Sequence, residues 1–97
     1  MPNPPVDPVV TDNPAQERFE IHVGASLAGI EEYTVDGNVY SFNHTEIYPQ
    51  HEGFGLAAIL VSRALDDLRS RGAKVRPVCP YVVKFLGKHP EYQDLIS

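Results

Sequence analysis

His44 to Arg71 reads HTEIYPQHEGFGLAAILVSRALDDLRSR, and three kinds of local pattern follow one another in it. The first residues alternate as the end of a strand. Glu52-Gly53-Phe54-Gly55-Leu56-Ala57 then forms a turn with no bulky Cβ at positions 53, 55 and 57, so the backbone can curl and a ligand can approach it closely. From about Gly55 to Arg71, the residues Ala57, Leu60, Val61, Ala64, Leu65 and Leu68 recur at i, i+3, i+4 and i+7, which predicts a helix buried along one stripe. Arg63, Asp66, Asp67 and Ser70 fall on its solvent side. Gly72 suits the position just past the helix, and Arg69 and Arg71 complement the negative end of its dipole.

A helix leaves its first N–H groups unpaired at the positive end of its dipole. A strand, a glycine turn and such a terminus together can hold a phosphate or diphosphate. The same spacing also fits an ordinary tight turn into a helix. Two nucleotide loops are excluded. A Walker-type loop needs Lys-Ser/Thr where this chain has Leu56-Ala57. A dinucleotide fingerprint needs a third glycine where it has Ala58.

Working back towards the N-terminus, Val39 to Ile47 is predicted as a strand, with Val39, Ser41, Asn43, Thr45 and Ile47 on one face and Tyr40, Phe42, His44 and Glu46 on the other. A bulge near Glu46 would break this alternation, but nothing in the sequence marks one. Asp36-Gly37-Asn38 is a hairpin turn, Ser26 to Val35 is a second strand, and Arg18 to Val23 (RFEIHV) is a third with Phe19, Ile21 and Val23 inward. Met1 to Glu17 carries five prolines and no apolar period, and is expected to be a disordered tail preceding a single domain over 18–97. After the long helix, Lys74 to Val78 should lie parallel to the strand that ends at Ile47, by the right-handed crossover rule. Pro77 removes one donor from it. Cys79-Pro80 opens a second helix, Tyr81 to Leu86, which Gly87 ends. His89-Pro90 is a turn and Glu91 to Ile96 a last helical turn.

The chain has 97 residues, 42% of them hydrophobic, which fits one globular domain. A net charge of −5 opposes nonspecific binding to nucleic acid and mildly favours a basic partner. One cysteine excludes an internal disulfide and suits a reducing cytoplasm. No apolar run is long enough for a membrane span, and the acidic, proline-rich start is unlike a targeting peptide. His22, His44, His51 and His89 have no metal-ligand spacing, so no metal is expected.

Gly53, Gly55 and Ala57 resemble the acetyl-CoA motif Gln/Arg-x-x-Gly-x-Gly/Ala of the GCN5-related N-acetyltransferase superfamily. His44-Thr45-Glu46-Ile47, Cys79-Pro80-Tyr81-Val82 and His89-Pro90-Glu91-Tyr92, in that order, resemble its very small single-domain YjdJ-like branch, over about residues 18 to 96. Glu52 departs from the pattern, standing where Gln or Arg is usual. The resemblance implies a minimal α+β acyl-CoA N-acyltransferase fold: an antiparallel three-stranded sheet, a crossover helix, a parallel strand and a C-terminal helix. It also implies that two neighbouring strands splay to admit the pantetheine arm. The implied function is acetyl transfer from acetyl-CoA to an amine acceptor; the charge and the lack of a long apolar run point away from nucleic acid and membrane partners. Two alternatives are a noncatalytic CoA or acyl-CoA binding module and a small interaction protein that keeps only the fold.

On this reading the cofactor-binding residues are Ile47, Glu52, Gly53, Phe54, Gly55, Leu56, Ala57 and Cys79. The candidate catalytic residues are Cys79, His44 and Glu46. A thiol at a helix N-terminus is favoured as thiolate, although a free cysteine is also a common core residue. Cys79 can therefore pack beside the thioester, shuttle a proton or act on the acyl group, packing being the plainest role. His44 and Glu46 can each take a proton from an ammonium, or serve as loop anchor and solvated carboxylate.

Overall fold

The computed structural model describes residues 7–97. Five strands lie side by side in chain order: β1 (Val9–Asn13), β2 (Arg18–Val23), β3 (Ser26–Asp36), β4 (Val39–Ile47) and β5 (Lys74–Pro77). The first four are antiparallel neighbours, and β5 runs parallel to β4. The crossover is helix α1 (Leu56–Ser70), because parallel neighbours cannot be joined by a tight turn. Helix α2 (Pro80–Lys88) and a 3-10 segment, Pro90–Leu95, follow. Ile96 then bridges in parallel to Val75. The expected α+β architecture is present, with one strand added.

That added strand corrects the expected tail. Residues 9–13 pair along their whole length with β2, Val10 facing Ile21 and Asp12 facing Phe19, and Pro14–Gln16 turn the chain back into it. The part of that expectation that falls on residues 1–6 lies outside the described residues. A short strand between prolines gives no period, so its pairing comes from tertiary contacts. Asp12 supplies the main one: its carboxylate accepts from the Tyr33 hydroxyl at 2.7 Å and from Arg71 Nη2 at 3.1 Å. Arg71, just past the end of α1, also donates to Asp67 and to the Tyr40 hydroxyl and lies over the rings of Phe19 and Tyr40.

The core occupies one face of the sheet. Phe19, Ile21, Tyr33, Phe42 and Val75 meet Leu56, Leu60, Val61, Ala64, Leu65 and Leu68 of α1. Each buried leucine is worth roughly 1.5–3 kcal/mol over an exposed one, so the stripe rather than helix propensity holds α1 in place. The stripe begins at Leu56 instead of Ala57 because Gly55 caps the helix in the left-handed region, at φ 73°. Ala57 is half-buried.

The register between β3 and β4 passes from Glu32–His44 to Tyr33–Phe42, leaving Asn43 as an extra, unpaired residue. This bulge reverses the alternation. Tyr40 and Phe42 share the helix-side face with Thr45 and Ile47, while His44 and Glu46 lie on the open face. The expected grouping of Val39 and Ser41 with Thr45 and Ile47 is therefore corrected. Gly87 does not stop α2, which runs to Lys88. His89 is extended there, at φ −128°, as a residue before proline prefers.

Asp12→Ala removes the acceptor of the Tyr33 hydroxyl and one partner of Arg71. It should cost about 1–3 kcal/mol, read as a lower urea midpoint. An unchanged midpoint would mean that β1 is not fastened through this carboxylate.

Candidate functional site

The last turn of β4, the glycine turn and the head of α1 enclose one cavity. Beyond Ile47 the chain passes through a 3-10 turn, Pro49–His51, to an extended Glu52. Gly53 and Gly55 follow with φ of 92° and 73°, a region where side chains with Cβ are strained. A Cβ on either would meet nothing within 4 Å, so glycine is needed for conformation and the outer surface of the turn is open. No side chain among the described residues caps α1. Among the described residues no hydrogen bond takes up the N–H groups of Leu56, Ala57 and Ala58. The cavity measures about 230 Å³ and is lined by Ile47, His51, Glu52, Gly53, Gly55, Leu56 and Ala57.

Six of the expected cofactor residues thus come together. Phe54 does not line the cavity and packs against the core. His51 does line it and was missed. Its only sequence signal is an imidazole two positions before Gly53. A second cavity of about 230 Å³ lies between α1 and the chain's end, lined by Ala58, Ile59, Ser62, Phe85, His89, Glu91 and Tyr92. There the His89 ring stacks on Phe85 at 4.0 Å.

Cys79 sits at a different point, where β4 and β5 part. Their ladder ends at Phe42 opposite Pro77, and proline has no N–H to extend it. The Phe42 carbonyl accepts from both Val78 N–H at 3.2 Å and Cys79 N–H at 2.9 Å. Past it, residues 43–47 of β4 have no strand on that side among the described residues, and the start of α2 stands across the gap. Val78 and Tyr81 are exposed beside it, at 52% and 37%.

In this gap the Thr45 hydroxyl lies 3.4 Å from Cys79 Sγ and donates to Glu31 Oε1. Glu31 is fully buried at 0% exposure, and its Oε2 has no hydrogen-bond partner among the described residues. Burial drives the Glu31 carboxyl up to about 8; the Thr45 hydrogen bond pulls the other way, the charge of Cys79 adds to the rise, and the His44 N–H and the Glu32 charge follow, lowering and raising it in turn. Burial also raises the Cys79 thiol, but Thr45 and the N–H groups of Val82 and Tyr81 at the head of α2 outweigh it, so the thiol is held below its ordinary value. Burial and then the Glu31 charge push the Tyr81 phenol up.

His44 and Glu46 are not brought to Cys79. They pair with each other at 3.1 Å, half exposed, on the open face of β4. Glu31 and Thr45 were not singled out from the sequence. The signal for Thr45 was its place in the His44-Thr45-Glu46-Ile47 motif. Glu31 had none, since one of two adjacent glutamates must point inward in any strand.

A family described as GCN5-related N-acetyl-transferase matches residues 18–95. Among solved structures, the chain is similar to the NMR solution structure of a GCN5-like protein from Staphylococcus aureus. The TM-score is 0.68 at 21% identity, covering 100% of this chain and 91% of that one, a likeness of fold. No curated protein matches. No helix among the described residues is long and apolar enough to cross a membrane.

A carboxyl whose folded value is raised stabilises the fold while it stays protonated. The contribution of Glu31 is complete below the ordinary 4.5 and is lost as pH rises towards about 8, at up to ~1.4 kcal/mol per pH unit. Urea midpoints should therefore fall over that window, and Glu31→Gln should flatten the fall. An equal slope in the folded variant would place the titration elsewhere.

Proposed function

The chain belongs to the GCN5-related N-acetyltransferase family, and we propose that it moves an acetyl group from acetyl-CoA to an amine of a small molecule or a protein. One observation carries this reading. A single stretch, residues 43–56, runs from the open side of a strand gap to a glycine turn with unpaired helix N–H groups. A ligand with a diphosphate at one end and a reactive arm at the other matches both features. The N–H groups of Gly55, Leu56 and Ala57 would hold the diphosphate, and Ile47 would lie under the start of the arm. The thioester would come to rest beside Thr45 and Cys79. The groove with Ile59, Phe85 and Tyr92 offers an apolar shelf for more of the cofactor.

The amine would enter from the open face, past His44 and Glu46. Catalysis on this reading comes mainly from positioning, since an acyl transfer gains most when the nucleophile and the carbonyl are held at attack distance. Glu52 favours a second reading, an acyl-CoA binder without turnover. Glu52 lines the cavity proposed for the phosphates, and its carboxylate would repel them. Turnover with a panel of amines separates the two.

Gly55→Val puts a β-branched residue at φ 73° and covers the turn's open surface. CoA binding by calorimetry should be abolished, with circular dichroism reporting a folded variant. Undiminished affinity in folded Gly55→Val would remove the diphosphate from this turn.

Glu52→Arg turns a repulsion into an attraction. It should tighten CoA binding at low salt, by a margin that shrinks as added salt screens the charges. Equal affinities at low salt would mean that the phosphates bind away from residue 52.

A further inference from the structure

The buried carboxyl of Glu31 has no place in the mechanism so far, yet it ends a chain of hydrogen-bonding groups that begins in the gap. We propose that Glu31, Thr45 and Cys79 form a proton relay for acetyl transfer. In it Cys79 receives the proton that the acceptor ammonium must lose, and Glu31, acting through Thr45, is the positioning residue that sets the pH at which the Cys79 thiolate is present. This rests on the acetyltransferase reading above.

The geometry allows one proton two addresses. With Glu31 ionised, the Thr45 hydroxyl donates to Oε1 and accepts from the Cys79 thiol. With Glu31 protonated, the carboxyl donates to Thr45, and Thr45 donates to a Cys79 thiolate. A threonine hydroxyl can serve in both, because it is donor and acceptor at once. Moving the proton from Cys79 to Glu31 leaves the net charge of the buried pair unchanged. The two negative charges are never required together, which burial would penalise heavily. The free Oε2 is the feature that points to this use, because a purely structural glutamate at 0% exposure would be expected to have both oxygens satisfied.

The surroundings leave the pair dependent on itself. The titratable groups around Glu31 are Cys79 and Tyr81 at the start of α2 and Glu32 next to it in β3. From β2 the opposite residue is Phe19, and the α1 stripe against this face is apolar. Among the described residues no ion pair reaches Glu31 or Cys79.

The ammonium N–H gives its proton to the Cys79 thiolate while Glu31 holds the relay's other proton. The freed nitrogen lone pair forms the C–N bond at the thioester carbon. The C–S bond breaks, its electron pair leaves on the CoA sulfur, and that sulfur takes the second nitrogen proton. The relay then loses one proton to water through Cys79 and is restored.

The test uses the full chain without cofactor. Cys79 is the sole cysteine, so ultraviolet thiolate absorbance, with Cys79→Ala as blank, reports it alone. The parent should titrate over a broad, two-step curve. Glu31→Gln should give a single step whose midpoint lies lower by about one pH unit or more, because no carboxylate charge opposes the thiolate. Thr45→Val should raise the midpoint, and Thr45→Ser should restore the parent curve. Superimposable curves for the parent and folded Glu31→Gln overturn the proposal. If Glu31→Gln does not fold, superimposable parent and Thr45→Val curves do so. With acetyl-CoA and a panel of amines, the acid limb of kcat/KM should follow the thiolate midpoint in each variant. An acid limb that stays in place while the midpoint moves overturns the proton transfer. Failure of CoA to bind at all, with the titration as expected, counts against the acetyltransferase reading instead.

Discussion

A single carbonyl decides where the sheet stops being a sheet. Phe42 C=O receives both Val78 and Cys79 N–H, opposite a proline that cannot continue the ladder. One residue later β4 takes its bulge at Asn43. Because these events coincide, the strand emerges from the ladder rotated, with Thr45 towards the helices and His44 outward. A bulge two residues earlier would leave the ladder's register disturbed. One two residues later would send Thr45 to the open face, away from Cys79 and Glu31. The gap, the thiol at its edge and the buried carboxyl behind it are consequences of how β4 leaves its last shared hydrogen bonds.

Much of this architecture is legible in the chain. The apolar stripe of α1 needs only the helical period, and the strand from Val39 to Ile47 appears with the same bounds in both sequence and structure. Gly37 at φ 63° does what Asp-Gly turns do. What was not legible depends on partners distant in sequence. Val9–Asn13 is a strand because Asp12 meets Tyr33 and Arg71, and no local pattern in VVTDN announces that. The bulge at Asn43 is likewise invisible, since alternation is a rule about one strand and a bulge is a fact about two.

The candidate site divides in the same way. A glycine turn, a helix head behind it and a cysteine before a proline can all be recognised locally; Gly53, Gly55, Leu56 and Ala57 come together around one cavity, while Cys79 lies apart from it at the strand gap. Phe54 and His51 exchange roles because turn geometry, not composition, decides which side chain of a loop faces the cavity. Glu31 could be found only by asking what a buried oxygen touches. Its neighbour Glu32 has the same sequence character and lies exposed.

The strand order has a further consequence, for the sequence of events in folding. Four strands follow one another as neighbours, so their hairpins close short loops and can form early. The fifth joins only after the α1 segment has been laid across the core, and Ile96 and Ser97 must then reach back to Val75. The parting of β4 and β5 is assembled in that late, long-range step. The gap is thus the last part of the domain to acquire its shape, and local opening of the β5 edge takes it apart while the meander stays intact.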